Sequence, residues 1–333
     1  VSYLHKLEIK GVHMKAKIIG TGRNLPENII TNDDLSAIVD TNDEWISSRT
    51  GIRERRLVKN ESTTSMAVEA SKHAIVKANI SPLEIDLIIV ATISADANMP
   101  STACEVQAQL GAENAVAFDM IAACSGFIFA LNTAYAYFQT GMYKRALIIG
   151  SETLSKLIDW TDRRTCVLFG DGAGAVVVEA SEVGIYEMVQ YTDGSKGNVL
   201  TCKRSTTSNM LIQTESQMEY IAMDGQEVLR FAVKKVPESI YAVLEKARLS
   251  IETITYFVLH QANERIIQSV AKKLKVPIEK FPLNIDQYGN TSSASIPILL
   301  DEMNEKNKLH KGDKILLSGF GGGLSWGATI VEW

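Results

Sequence analysis

The chain has 333 residues, a net charge of −5, 46% hydrophobic residues and 22% charged residues. This balance is ordinary for a globular protein, at a length that suits two domains or one duplicated one, and it argues against a general nucleic-acid binder. Its four cysteines, Cys104, Cys124, Cys166 and Cys202, have neither the CxxC spacing of a zinc site nor the density of a disulfide framework, so free thiols in a reducing cytoplasm fit best.

Residues 1–13 lack the apolar core of a secretory signal and precede a strand-like start at Met14, so they read as an N-terminal extension or tag. Residues 15–22 read as a strand ending in Gly-Thr-Gly. A short helix follows at 31–39, with Thr31 or Asn32 as N-cap and Asp33 and Asp34 in its first turn. The polar stretch 41–56 reads as a loop that carries an isolated Trp45 and four arginines, Arg49, Arg53, Arg55 and Arg56. Residues 62–78 form a helix capped by Ser62 or Thr63, with Met66, Ala67, Ala70, Ala74 and Ile75 on one face. The apolar run 85–92 predicts a strand buried on both faces, and Pro100 and Ser101 open a helix towards Leu110.

Residues 115–138 read as a short strand, a tight turn and a long helix, with Cys124 at the junction. There is no charge from Met120 to Phe138. The interruptions at Ser125, Gly126, Asn132 and Thr133, with no basic flank, make this a core helix rather than a membrane span. A thiol at a helix start meets unpaired N–H groups and the helix dipole, which favour a thiolate nucleophile. The bland reading is a small buried hydrophobe, as most free cysteines are. Residues 146–152 predict another buried strand, and 167–179 a glycine turn feeding a strand. Residues 181–224 read as irregular, with short strands and a Ser/Thr/Asn cluster at 205–209. Residues 226–246 read as a helix that Pro237 kinks or divides.

Three segments repeat at nearly constant spacing. DLIIVAT (86–92) is matched by YFVLHQA (256–262), AVAFDMIAAC (115–124) by KFPLNIDQYGN (280–290), and RALIIGS (145–151) by DKILLSG (313–319), with offsets of 169, 167 and 168. The register predicts two copies of one βα unit around a pseudo-twofold axis, at 14–180 and 225–333, joined by 181–224. Equivalent turns then face each other. Cys124 falls opposite Asn290 within one residue, and His260 follows the strand at 256–259. Taken singly, His260 reads as structural and Asn290 as a turn residue or N-cap. Together they converge with Cys124 at the strand ends, where α/β folds place ligands.

AACSGF around Cys124, HQAN at 260–263, GNTSSAS at 289–295 and FGGGLSWG at 320–327 resemble the thiolase-fold condensing enzymes. With DTNDEWISSRTGI (40–52) and TDRRTCVLFGDGAGAV (161–176), they resemble in particular the β-ketoacyl-acyl-carrier-protein synthase III family, from Met14 to Trp333 and in order. The resemblance implies an α/β thiolase-like fold layered α-β-α-β-α. It implies decarboxylative Claisen condensation of a short acyl-CoA primer with malonyl-acyl-carrier protein, through an acyl-Cys intermediate. Cys124 would be the nucleophile, and the backbone N–H groups of Cys124 and Gly322 the oxyanion hole. His260 and Asn290 would donate to the malonyl thioester oxygen.

The same resemblance implies CoA contacts at Thr41, Trp45, Arg49, Arg163, Gly225, Ala262 and Asn263. It implies docking of an acidic carrier protein at Gln261, Arg265 and Lys272, next to Lys273 and Lys275. Glu264 departs from the apolar residue often found on that face and weakens the docking locally. A homodimer is implied in which Met99 closes the partner's acyl pocket. A Phe there favours acetyl primers, so a flexible Met leaves room for longer or branched short acyl groups. No metal, redox cofactor, nucleic acid or membrane insertion is implied.

Rival readings fit less well. A thiolase needs a second cysteine, and none follows Cys202. A hydroxymethylglutaryl-CoA synthase needs an acid upstream of the nucleophile, where the loop 92–99 offers only Asp96. Elongating synthases have histidine where Asn290 stands, and a non-catalytic acyl-CoA or carrier-protein binder needs no nucleophile.

Overall fold

The structure, a computed structural model, describes residues 14–203, 211 and 219–333. The expected extension at 1–13 and the cluster at 205–209 lie outside the described residues.

Two sheets share one pattern. The first contains β1 (Lys15–Asn24), β2 (Leu87–Ala91), β3 (Val116–Met120), β4 (Arg145–Glu152) and β5 (Gly172–Ser181) in the order β1-β5-β4-β2-β3. The second contains β6 (Tyr186–Thr192), β7 (Tyr256–Leu259), β8 (Lys314–Gly321) and β9 (Ser325–Glu332) in the order β7-β8-β9-β6. In each, the parallel pair (β2 with β4, β7 with β8) is followed by an antiparallel neighbour.

The helices complete the layers. After α1 (Asp43–Thr50), α2 (Thr63–Ala78) and α3 (Thr102–Leu110) cover the outer face of the first sheet. Between the sheets lies α4 (Gly126–Gln139). Next, α5 (Gly225–Ala247) and α6 (Glu264–Leu274) cover the outer face of the second sheet, and α7 (Ser295–Glu305) joins α4 in the middle. Strand alternation explains how both sheet faces are filled. Leu87, Ile89 and Ala91 face the central helices, while Ile88 and Val90 face α2 and α3. The result is the five-layer α-β-α-β-α order. The uncharged run is the buried helix α4, whose Asn132 accepts from Tyr186 Oη and Thr329 Oγ1 and donates to Gln190 Oε1.

Four expectations are corrected. Residues 43–50 of the presumed loop form α1, because Asn42 accepts from the Trp45 N–H, Asp43 and Glu44 open the first turn, and Gly51 ends it at φ +82°. The stretch 181–224 contributes the seven-residue β6 to the second sheet, as alternate residues from Tyr186 on pack against it. Pro237 neither divides nor ends the 23-residue α5. The Val233 carbonyl that Pro237 cannot serve instead lies 3.4 Å from Lys273 Nζ on α6.

The fourth correction concerns register. Residues 280–284 do not form a strand matching β3, since Pro282 lacks a ladder donor. The turn 123–125 that starts α4 corresponds instead to the turn 292–294 that starts α7, and each is entered through a residue of positive φ, Ala123 at +46° and Ser292 at +50°. Cys124 therefore stands opposite Ser293, not Asn290.

Candidate active site

Cys124 sits in the turn before α4, 9% exposed, and lines a cavity of about 930 Å³. Ile93, Leu154, Leu157, Phe169 and Leu200 make its wall apolar, and Ser292 and Gly322 lie in the same lining. Gly321 abuts the thiol's backbone, where a Cβ would stand 2.7 Å from Cys124 N. Glycine there lets the strand end β8 close on the nucleophile turn. The expected thiolate is not the resting state. Burial pushes the Cys124 thiol from 9.0 up to about 12, against a lowering by the Ser292 hydroxyl. A helix N-terminus offers about 0.3–1 kcal/mol, too little to offset such a rise.

His260 follows β7, and its N–H donates to Ser318 O at 2.9 Å. Its Nδ1 lies 2.7 Å from Ser295 Oγ, and its ring meets Phe320 edge-on at 5.3 Å. Complete burial without a carboxylate partner lowers its pKa from 6.5 to about 3, so the imidazole is neutral. Ser295 Oγ already accepts from Gln261 N at 3.3 Å. With the Ser295 hydroxyl proton given to Nδ1, the ring proton sits on Nε2.

Asn290 is held by its backbone. It donates to Leu168 O at 2.9 Å and accepts from Gly170 N at 3.1 Å, and it bridges Phe169 in parallel. Its Oδ1 accepts from Ser292 N at 2.9 Å, which leaves the amide NH₂ as a donor. Phe169 and Ser292 line the cavity, and Phe320 precedes the Gly321–Gly322 turn. His260 and Asn290 thus stand directly behind the wall that carries Cys124.

Trp45 on α1 packs on the apolar cluster that includes Leu154, Phe169 and Ile221 of that wall. The Arg49 guanidinium lies 4.7 Å and that of Arg163 5.2 Å from its ring centroid. Arg163 also donates to Asp40 O at 2.7 Å. Thr41 Oγ1 is buried and without a partner among the described residues. Asn263 caps α6 and donates to Arg49 O at 3.1 Å, joining α6 to α1. Ala262 is half-buried just before this cap, and Gly225 is exposed at the start of α5.

Two expected contacts differ. Gln261, read as a carrier-protein contact, is 1% exposed and bonds internally to Leu259 O and Asn284 N, so it is structural. Arg265 is exposed, but its guanidinium is turned onto Ser48 O at 2.7 and 3.0 Å. Lys272, Lys273 and Lys275 are exposed on or beside α6, and Met99 is 85% exposed. Sequence reasoning missed Glu152 and Ser292. The available signal was an acid closing an otherwise apolar strand, ALIIGSE.

The duplicated five-layer α/β fold, with Cys124 on the cavity wall and His260 and Asn290 behind it, is that of a thiolase-fold condensing enzyme. A sequence profile of 3-oxoacyl-[acyl-carrier-protein] synthase III matches residues 118–197, and one of its C-terminal part matches 244–333. The chain is 52% identical over 319 residues to the beta-ketoacyl-[acyl-carrier-protein] synthase III of Clostridium novyi, covering 95% of this chain and 98% of that one. The Clostridium acetobutylicum relative of the same name matches to the same extent. The crystal structure of 3-oxoacyl-[acyl-carrier-protein] synthase III from Aquifex aeolicus superposes with a TM-score of 0.89 at 49% identity, covering 96% of this chain and all of that one. The chain belongs to the 3-oxoacyl-[acyl-carrier-protein] synthase III family, the acyl-transferring condensing enzymes that initiate type II fatty-acid synthesis.

Proposed function

We propose that Cys124 takes the acyl group of a short acyl-CoA and that His260 and Asn290 promote its condensation with malonyl-acyl-carrier protein. The observation that carries this reading is the pairing of two N–H donors, the neutral imidazole Nε2 and the Asn290 amide, behind the thiol's cavity. Cys124 attacks the thioester carbonyl, the Cys124 and Gly322 backbone N–H groups receive the oxyanion, and CoA leaves with the thiol proton. Malonyl-carrier protein then loses CO₂. His260 and Asn290 donate to the thioester oxygen where the enolate charge develops, and its carbon attacks the acyl-Cys carbonyl. The acyl–sulfur bond then breaks to release Cys124 as a thiolate that takes up a proton from solvent. No resident cofactor enters this sequence.

The stacked Arg49–Trp45–Arg163 group and the free hydroxyl of Thr41 support nucleotide binding, with Gly225, Ala262 and Asn263 as further contacts. An adenine entering the stack would displace Arg163 from the ring. Arg265 and Lys272, with their neighbouring lysines, offer a basic face to an acidic carrier protein. A homodimer is supported by β3, an edge strand whose neighbours Met99 and Ile121 are 85% and 68% exposed. The four unpaired cysteines suit a reducing cytoplasm.

Incubation with acetyl-CoA should give an acyl adduct by intact mass, and malonyl-carrier protein should convert it to a 3-ketoacyl product. Cys124→Ser should abolish the adduct; an unchanged adduct would falsify the nucleophile assignment. His260→Ala should slow condensation about 10²–10³-fold while sparing acylation. Turnover of acetyl-, butyryl- and isobutyryl-CoA tests the primer range, and strict acetyl preference would refute the role given to Met99.

A further inference from the structure

Beneath Cys124 lies a buried acid that the reaction above does not use. Glu152 ends β4, fully buried, with no cation paired to it among the described residues. Its Oε2 accepts from Ser94 Oγ at 2.5 Å, Ile93 N at 3.1 Å and Thr92 Oγ1 at 3.2 Å. Its Oε1 lies 3.1 Å from Ser293 Oγ, which is itself 2.8 Å from the Ala91 carbonyl. A hydroxyl has one proton, and a carbonyl can only accept. With the Ser293 proton on Ala91 O, the proton of the second contact sits on Glu152 Oε1. Burial raises the Glu152 pKa in the same direction.

Ser292, next to this contact, is the second observation. Its backbone is held at φ +50°, a conformation that side chains other than glycine rarely adopt. Its Oγ is buried and without a hydrogen-bond partner among the described residues, and Ser292 lines the same cavity as Cys124. Glycines make this approach possible. A Cβ at Gly150, two residues before Glu152 on the same face of β4, would stand 2.4 Å from Ser293 O.

We propose that Glu152 is a neutral acid whose one proton serves Ser293, and that Ser292, left unpartnered beside it, donates to the Cys124 sulfur as it becomes anionic. The pair takes no proton from the thiol. Its effect is to supply a donor to the sulfur anion while keeping a carboxylate charge away from it. Ser292 is then a catalytic residue touching the reacting atom, and Glu152 a positioning residue acting through Ser293 on the turn that carries it. This rests on Cys124 as nucleophile, a point that acyl transfer to the wild-type thiol tests separately.

The test is the pH profile of iodoacetamide alkylation at Cys124, followed by peptide mass because Cys104 and Cys202 are also accessible. Ser292→Gly removes the hydroxyl and suits the positive φ, so it should melt no lower than wild type. It should alkylate about tenfold more slowly near neutral pH, its profile displaced to higher pH. A wild-type profile in Ser292→Gly overturns the proposal. Glu152→Gln keeps a weaker donor and should slow alkylation about threefold. Acceleration would show that Glu152 carries a negative charge, and would also overturn it. Wild-type protein should show an infrared carboxylic-acid band near pH 7 that Glu152→Gln lacks. Should Glu152→Gln not fold, Ser292→Gly decides alone.

Discussion

Burial without an acidic partner takes His260 from 6.5 down to about 3, and Ser295 on Nδ1 leaves Nε2 as its donor. A ring in this state can stabilise an enolate oxygen by donation but is a poor proton acceptor in water-accessible pH. The condensation step on pre-acylated protein should therefore show no acid limb centred near 6.5 between about pH 5.5 and 8. Such a limb, measured with malonyl-carrier protein in excess, would mean that His260 titrates normally and would refute the neutral-donor role. At this scale the motifs singled out Cys124, His260 and Asn290 in the sequence. They did not separate His260 from its neighbour Gln261, since both stand in HQAN, both are 1% exposed, and only their hydrogen-bond partners tell them apart. Glu152 and Ser292 were hidden for a similar reason. An acid at a strand end and a serine in a turn look ordinary until two halves of the chain bring them under one thiol.

Among the elements, those with strong periodicity were legible and those fixed by partners were not. The helix at 63–78 has Ser62 as N-cap, and all five of its expected inward residues are buried. The helix α1 escaped notice because it has no apolar stripe and depends on its caps. The duplication was legible from β2, β4, β7 and β8. Its fifth strand failed at Pro282, and that slip misplaced Cys124 against Asn290. The central helix α7 shows how the halves are tied. Its buried Asp301 receives Thr21 Oγ1 at 2.7 Å, Arg23 at 2.6 Å and Lys77 at 2.6 Å, from β1 and α2 of the other half. Asp301→Ala should leave Arg23 and Lys77, 23% and 30% exposed, facing only the outer Glu305. The expected loss is about 3 kcal/mol, the low end for breaking a buried pair because both cations retain water. Urea unfolding would measure it, and a loss under about 1 kcal/mol would reduce this network to a surface ion pair.

For the whole molecule, the five-layer architecture places the Cys124 thiol where both sheets and both central helices end, and its burial there has a thermodynamic signature. No sequence pattern reports that burial, because it comes from residues more than a hundred positions apart closing on one turn. The unfolded thiol ionises above about 9.0, whereas the folded one holds its proton to about 12. Between these values the folded state binds more protons than the unfolded, so stability falls as pH rises. His260 acts in the opposite sense, its contribution present above 6.5 and lost as pH falls towards 3. The alkaline side can be isolated with Cys124→Ala, which removes the titrating group. From about pH 8 to 10, wild type should lose about 1.4 kcal/mol more than Cys124→Ala, one proton over one pH unit beyond 9.0. The quantity to compare is the change in unfolding free energy with pH within each protein, so that the methyl-for-thiol packing difference cancels. Equal alkaline losses would mean that the Cys124 thiol is already ionised in the folded state, and that the helix end outweighs burial after all.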